Sequence, residues 1–183
     1  MDSLEGHFLF SSPHLLDANF VRTVVLLIEH NEQGALGVVL NRPTSKTVKE
    51  LWKEVGQSPC RNESPVYLGG PVAGPLMALH TAGSLAEIEV VPGVFFAAKK
   101  KNLDALVLEE NEKVRVFVGH AGWGPGQLES ELEAGAWLPM PASGEYVFYE
   151  GADLWDQGSK KLRRSSLVDV LKIKHVPEDP SLN

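Results

Sequence analysis

Apolar and polar positions alternate in blocks between Arg22 and Asn41. Val24 to Ile28 is an unbroken aliphatic run, Asn31 to Gly34 is turn-type, and Ala35 to Leu40 is apolar again. Two such runs joined by four turn residues predict a β-hairpin. Val24, Leu26 and Ile28 point to one face and Val25 and Leu27 to the other, so the first strand has no polar face. It is expected in the middle of a sheet covered on both sides. Gly6 to Phe10 predicts a further strand, and Ser12 to Asn19 an irregular connection.

Downstream, Thr47 and Glu50 have the spacing of a capping box, which predicts a helix running to Val55. Gly56 to Pro65 reads as a loop, and Val66 to Leu68 as a buried strand ending at Gly69, Gly70 and Pro71. Short strands are expected at Met77 to Thr81 and Gly93 to Phe96. Leu103, Leu106 and Val107 give residues 99–110 a helical period. Val114 to Val118 alternates as a strand. Pro125 and Gly135 bracket a short helix over residues 127–134. Tyr146 to Tyr149 reads as the last strand and residues 153–162 as a helix. Strands with short links and scattered helices predict α+β architecture in a single domain over residues 1–175, with residues 176–183 as a frayed tail.

Composition narrows the setting. The chain has 183 residues, of which 43% are hydrophobic, enough for one packed domain. Its longest aliphatic run is far short of the roughly 20 residues a membrane span requires, so no membrane partner is expected. The first five residues are acidic where a signal peptide would be basic. Cys60 stands alone and can form no internal disulfide. A cytoplasmic location follows as an expectation. The net charge of −7 disfavours nucleic acid as a direct partner. The exception is residues 160–174, where Lys160, Lys161, Arg163, Arg164, Lys172 and Lys174 oppose only Asp169. That segment carries +5 and leaves −12 for the rest. It is the basis of a DNA-binding alternative, against the plainer reading of a solvated face.

Candidate chemistry is sparse. The glycine-rich stretch from Gly119 to Gly126 follows a strand and precedes a helix, but Gln127 breaks a dinucleotide fingerprint and no Lys-Ser or Lys-Thr pair completes a phosphate loop. Those glycines read as a tight turn. Cys60 has no neighbouring histidine to activate it. His30, His80 and His120 each fall at a strand end, which raises the possibility of a metal site. No pair has the local spacing of a metal motif. No metal and no cofactor are expected. Trp52, Trp123, Trp137 and Trp155 read as core anchors, with Trp123 between two glycines a candidate to line a cleft.

Several stretches together resemble one family. Leu16 to Asn31, Gly34 to Pro43, Val66 to Val72, Leu79 to Thr81 and Ala121 to Glu129 are similar to the motifs of the YqgE/AlgH family of bacterial proteins, in the same order. That resemblance, from about Gly6 to Trp155, implies a single domain built on a strongly bent, partly bifurcated, mostly antiparallel mixed sheet with several short helices around it. It implies no reaction, no agreed catalytic residues and no cofactor, and the family is associated by name with regulation of gene expression. Matching positions include Asp17, Asn19, Arg22, Glu29, His30, Asn41, Arg42, Gly69, Gly70, His80, Gly122, Trp123, Gln127 and Glu129. Three departures stand out. His120 replaces the usual tyrosine, Ala73 to Met77 lacks the common Arg-Gly-Phe, and the basic stretch after Trp155 is atypical.

The reading that results is a non-enzymatic module that binds a small ligand or a protein partner. Arg22, His30, Asn41, Arg42, His80, Trp123 and Gln127 form its candidate cleft. An arginine there would grip a carboxylate or phosphate. The alternative is a hydrolase with His30 or His80 as general base, with or without a metal.

Overall fold

The computed structural model describes residues 2–56, 58–151 and 153–171, with Arg163 and residues 165–171 described by backbone alone. The tail at 176–183 and the basic residues Lys172 and Lys174 lie outside the described residues.

The expected hairpin forms β2 (Val24–Asn31) and β3 (Gly34–Val39). With β1 (His7–Ser11), β10 (Ala121–Trp123) and β11 (Trp137–Pro141) they build an antiparallel sheet in the order β10-β3-β2-β1-β11. Strand β2, apolar from Val24 to Ile28, is its central strand, as the two buried faces of that run require. A second sheet has the order β4-β5-β9-β6-β8-β7, where β4 is Pro43–Thr47, β5 Pro65–Leu68, β6 Met77–His80, β7 Ile88–Val91, β8 Val94–Ala97 and β9 Val114–Val118. Its β5–β9 pair is parallel and its other pairs are antiparallel.

The two sheets branch from one seam. The Val39 N–H donates to the Gly69 carbonyl at 2.8 Å, and Val72 bridges His120. Gly69 and Gly70 permit this crossing. A Cβ on Gly69 would stand 2.4 Å from the Gly119 carbonyl oxygen, and one on Gly70 2.2 Å from the His120 carbonyl carbon.

Side-chain parity sorts the core into three layers. Val24, Leu26 and Ile28 pack with Leu79, Phe96 and Phe117 between the sheets, and Leu154 and Trp155 of α5 (Leu154–Leu171) join them. Val25 and Leu27 face outward under α3 (Gln127–Glu133), beside Leu128, Trp123 and Trp137. The outer face of the second sheet is covered by α1 (Val48–Val55) and α2 (Lys100–Leu106) through Leu51, Trp52, Leu103 and Leu106. Helix α1 begins with the predicted capping box, Thr47 accepting from the Glu50 N–H while the Glu50 carboxylate accepts from the Thr47 N–H. Cys60 is buried in this layer rather than standing in an open loop.

The fold is α+β, and it corrects several element boundaries. Residues 144–147 form a one-turn helix, α4 (Gly144–Val147), not the strand expected over Tyr146 to Tyr149. The aromatic run there packs against the core edge, so tertiary contact overrides strand propensity. Helix α2 stops at Leu106 and α5 extends to Leu171. Strands β4, β7, β10 and β11 were not expected, and they are the four edges of the two sheets. An edge strand needs no continuous apolar signature, and β11 carries two prolines because one side of its ladder is free.

Candidate functional site

The seven residues expected to share a cleft fall into three places. Arg22, Asn41 and Arg42 brace the connection between β1 and β2. Asn41 accepts from the Val24 N–H and donates to the Arg22 carbonyl, both at 2.9 Å. Arg42 donates to the carbonyls of Ala18 and Val21. Arg22, at φ 54°, reaches across to Asp156 at 2.6 Å and lies 4.6 Å from the centre of the Trp155 ring. Both arginines are therefore spent on internal partners.

His30, Trp123 and Gln127 gather under α3. The register of β2 shifts between Leu27 and Glu29, and this bulge turns His30 to the outer face, opposite Ala35, which itself faces Trp123. The Leu4 N–H donates to His30 Nδ1 at 2.9 Å, so the ring proton is assigned to Nε2, which donates to Glu129 at 3.0 Å. The backbone N–H of Glu129 and the His30 ring hold that carboxyl below the usual carboxylate range. With both nitrogens engaged, His30 has no free lone pair for a general base. Trp123 and Trp137 both donate to Glu131, and Gln127 bonds Glu131 and the Gly124 N–H.

His80 stands apart. It points to the outer face of the second sheet, the side of Ala78, whereas His30 points to the outer face of the first. The core between the sheets separates them. His80 is fully buried, and among the described residues neither ring nitrogen has a hydrogen-bond partner. Burial pushes its pKa down, offset in part by the Ala82 backbone, Glu87 and Glu112. Among the described residues no three His, Cys, Asp or Glu side chains gather in a metal-binding group.

A recess of a different composition lies elsewhere. It opens at the start of β9 with a volume of about 750 Å³, in the range of small-molecule sites. Tyr67 and Arg115 form its floor, and Lys113, Phe148, Tyr149 and Arg61 stand around it. Arg115 keeps only 5% of its surface exposed. Its side chain falls on the inter-sheet face, like Phe117 two residues on, at a position that would ordinarily be apolar. The guanidinium donates to the Leu40 carbonyl at 3.1 Å and the Tyr149 carbonyl at 3.0 Å, and it lies 4.3 Å from the centre of the Tyr67 ring. Among the described residues no carboxylate pairs with it. Burial lowers its pKa, while Tyr67 and Glu150 raise it, and an arginine remains charged. Arg115 is not among the residues that the motifs single out. Its signal was a lone cation at an inward position of Val114 to Val118.

The family model described as AlgH-like matches residues 8–166. The chain belongs to the AlgH-like family. A UPF0301 protein of Chlorobaculum tepidum is 36% identical over 184 residues, covering 97% of this chain and 95% of its own. A UPF0301 protein of Myxococcus xanthus is 41% identical over 161 residues, covering 85% of this chain and 89% of its own. The solution structure of the AlgH protein from Pseudomonas aeruginosa is similar with a TM-score of 0.73 at 31% identity, over 96% of both chains. The crystal structure of protein DIP2367 from Corynebacterium diphtheriae gives 0.68 at 26% identity, over 88% of this chain and 87% of that one. In this AlgH-like chain no helix among the described residues is long and apolar enough to cross a membrane.

Proposed function

We propose that this AlgH-like protein is a non-enzymatic binding module, and that its ligand carries a carboxylate or phosphate group received by Arg115. One observation carries the reading: a nearly buried guanidinium with no anionic partner among the described residues, at the floor of an open recess of about 750 Å³. Burying a cation without a paired carboxylate is costly, and a bidentate anion would supply the missing partner. The family-motif residues Arg22, Asn41, Arg42, His30, Trp123 and Gln127 then serve to hold the scaffold. Any influence on gene expression runs through a bound ligand or protein partner, because the acidic chain as a whole repels DNA. The setting inferred is the cytoplasm, where a lone thiol such as Cys60 stays reduced.

The test is a titration with inorganic phosphate and with glutarate, followed by amide chemical shifts. The expected result is saturable movement at Tyr67, Lys113, Arg115 and Tyr149, lost in Arg115→Met. Movement confined to other surfaces, or none at millimolar ligand, overturns the reading.

A further inference from the structure

We infer that the ligand of this recess is a small zwitterion, with its anionic end on Arg115 and an ammonium end among the rim carboxylates. The inference rests on the reading of Arg115 given above and goes beyond it to the ligand's class.

The recess is charged in two layers. Glu109, Glu110, Glu112, Glu145 and Glu150 all line it. All five are exposed, on the segment before β9 and around α4. Glu112 accepts from the Thr81 hydroxyl, while the other four form no ion pair among the described residues. Against them stand Arg61, Lys113 and Arg115, of which only Arg115 is buried. Positive charge therefore sits at the bottom and negative charge predominates at the mouth. A simple dianion entering the site would meet Arg115 favourably and the rim unfavourably. A simple dication would suit the rim and meet a buried guanidinium it cannot displace. A molecule with opposite charges at its two ends satisfies both layers, which is the ordinary rule of electrostatic complementarity.

Aromatic side chains support the same orientation. Lys113 Nζ already lies 5.9 Å from the centre of the Phe148 ring, so this wall of the recess accommodates an ammonium group. Tyr149, the neighbour of Phe148, also supplies the carbonyl that fixes Arg115. The class of ligand is thus an amino acid, an ω-amino acid or a very short peptide, not a polyanion.

Three probes of matched length decide the matter: glutarate, cadaverine and 5-aminopentanoate, each titrated into the full-length protein by calorimetry and amide shifts. The expectation is that 5-aminopentanoate binds about tenfold more tightly than glutarate, the gain of roughly one charge-assisted contact. In the double variant Glu145→Gln, Glu150→Gln that preference falls toward parity without loss of folding, because both side chains are exposed. Glutarate binding as well as or better than 5-aminopentanoate overturns the zwitterion and leaves the anion-receiving role of Arg115 standing. Cadaverine binding best, or no probe binding at the recess, overturns both.

Discussion

The guanidinium of Arg115 lies 4.3 Å from the centre of the Tyr67 ring, on the inner face of the second sheet. The ring and two backbone carbonyls replace the carboxylate that a buried arginine ordinarily has. Such an arrangement costs desolvation and recovers only part of it through cation–π attraction and hydrogen bonds. Arg115→Met keeps the volume and removes the buried charge, so the variant is expected to lie within about 2 kcal/mol of the parent in stability. Phe117→Ala, on the same face of β9, is expected to lose about 3–5 kcal/mol by opening a cavity. Urea denaturation of both variants checks the contrast. An Arg115→Met loss as large as that of Phe117→Ala would make Arg115 a structural residue.

Glu131 clamps α3 onto the first sheet. Its Oε2 accepts from Trp137 at 2.7 Å and from Trp123 at 2.9 Å, and its Oε1 accepts from Gln127 at 2.9 Å. The two indoles are nearly buried and meet edge to face at 5.8 Å. Glu131→Ala leaves two indole N–H groups without an acceptor, at about 1–3 kcal/mol each. The expected loss is therefore about 2–6 kcal/mol by guanidinium denaturation. Glu131→Gln retains one acceptor oxygen and is expected to lose about half as much. Tryptophan near-ultraviolet dichroism should change in both variants while the helical signal stays.

Most of the architecture was legible in the sequence, and the illegible parts share physical causes. Central strands β2, β5, β6, β8 and β9 announce themselves because burial on both faces demands apolar residues such as Val25 and Val116. The four edge strands do not, because half of each ladder needs no partner. The placement of His30 was also hidden. Strict alternation would put it with Leu26 and Ile28 between the sheets, and the bulge that sends it outward has no residue signature. The candidate cleft followed the family motifs, but those motifs mostly encode the seam and the braces, as Gly69, Gly70, Asn41 and Arg42 show. Arg115 was overlooked because one charge in an alternating strand is indistinguishable from an ordinary solvent-facing position until the sheet's second face is seen to be covered.

His80 makes stability fall in mild acid. Its folded pKa lies below its usual 6.5 because burial disfavours the imidazolium, against the opposing pull of Glu87 and Glu112. The unfolded chain therefore binds the proton more readily, and the stability present above pH 6.5 is lost as pH falls through the folded value. Urea midpoints are expected to drop between pH 7.5 and 5.5, with a smaller drop in His80→Leu. Glu87, whose pKa is also lowered, contributes its own loss only at lower pH, below the ordinary glutamate range near 4.5. An equal pH dependence in the parent and in His80→Leu would show that other groups control the transition.

Two glycines with left-handed φ separate backbone strain from steric exclusion. Gly126, at φ 73°, precedes α3 with no atom within 4 Å of a would-be Cβ, so Gly126→Ala meets only the conformational cost, about 1–2 kcal/mol. Gly70, at φ 153°, faces the His120 carbonyl carbon at 2.2 Å, inside the seam where the two sheets branch. A methyl group there must push backbone from backbone, and neither chain can yield without breaking the Val39–Gly69 and Val72–His120 bonds. Gly70→Ala is therefore expected to cost more than about 4 kcal/mol, or to prevent folding outright. Thermal denaturation of the two variants, or soluble yield where Gly70→Ala does not fold, reads the difference. Similar small losses in both would mean that the seam is compliant, and that the paired glycines of the family motif are held for a reason other than this crossing.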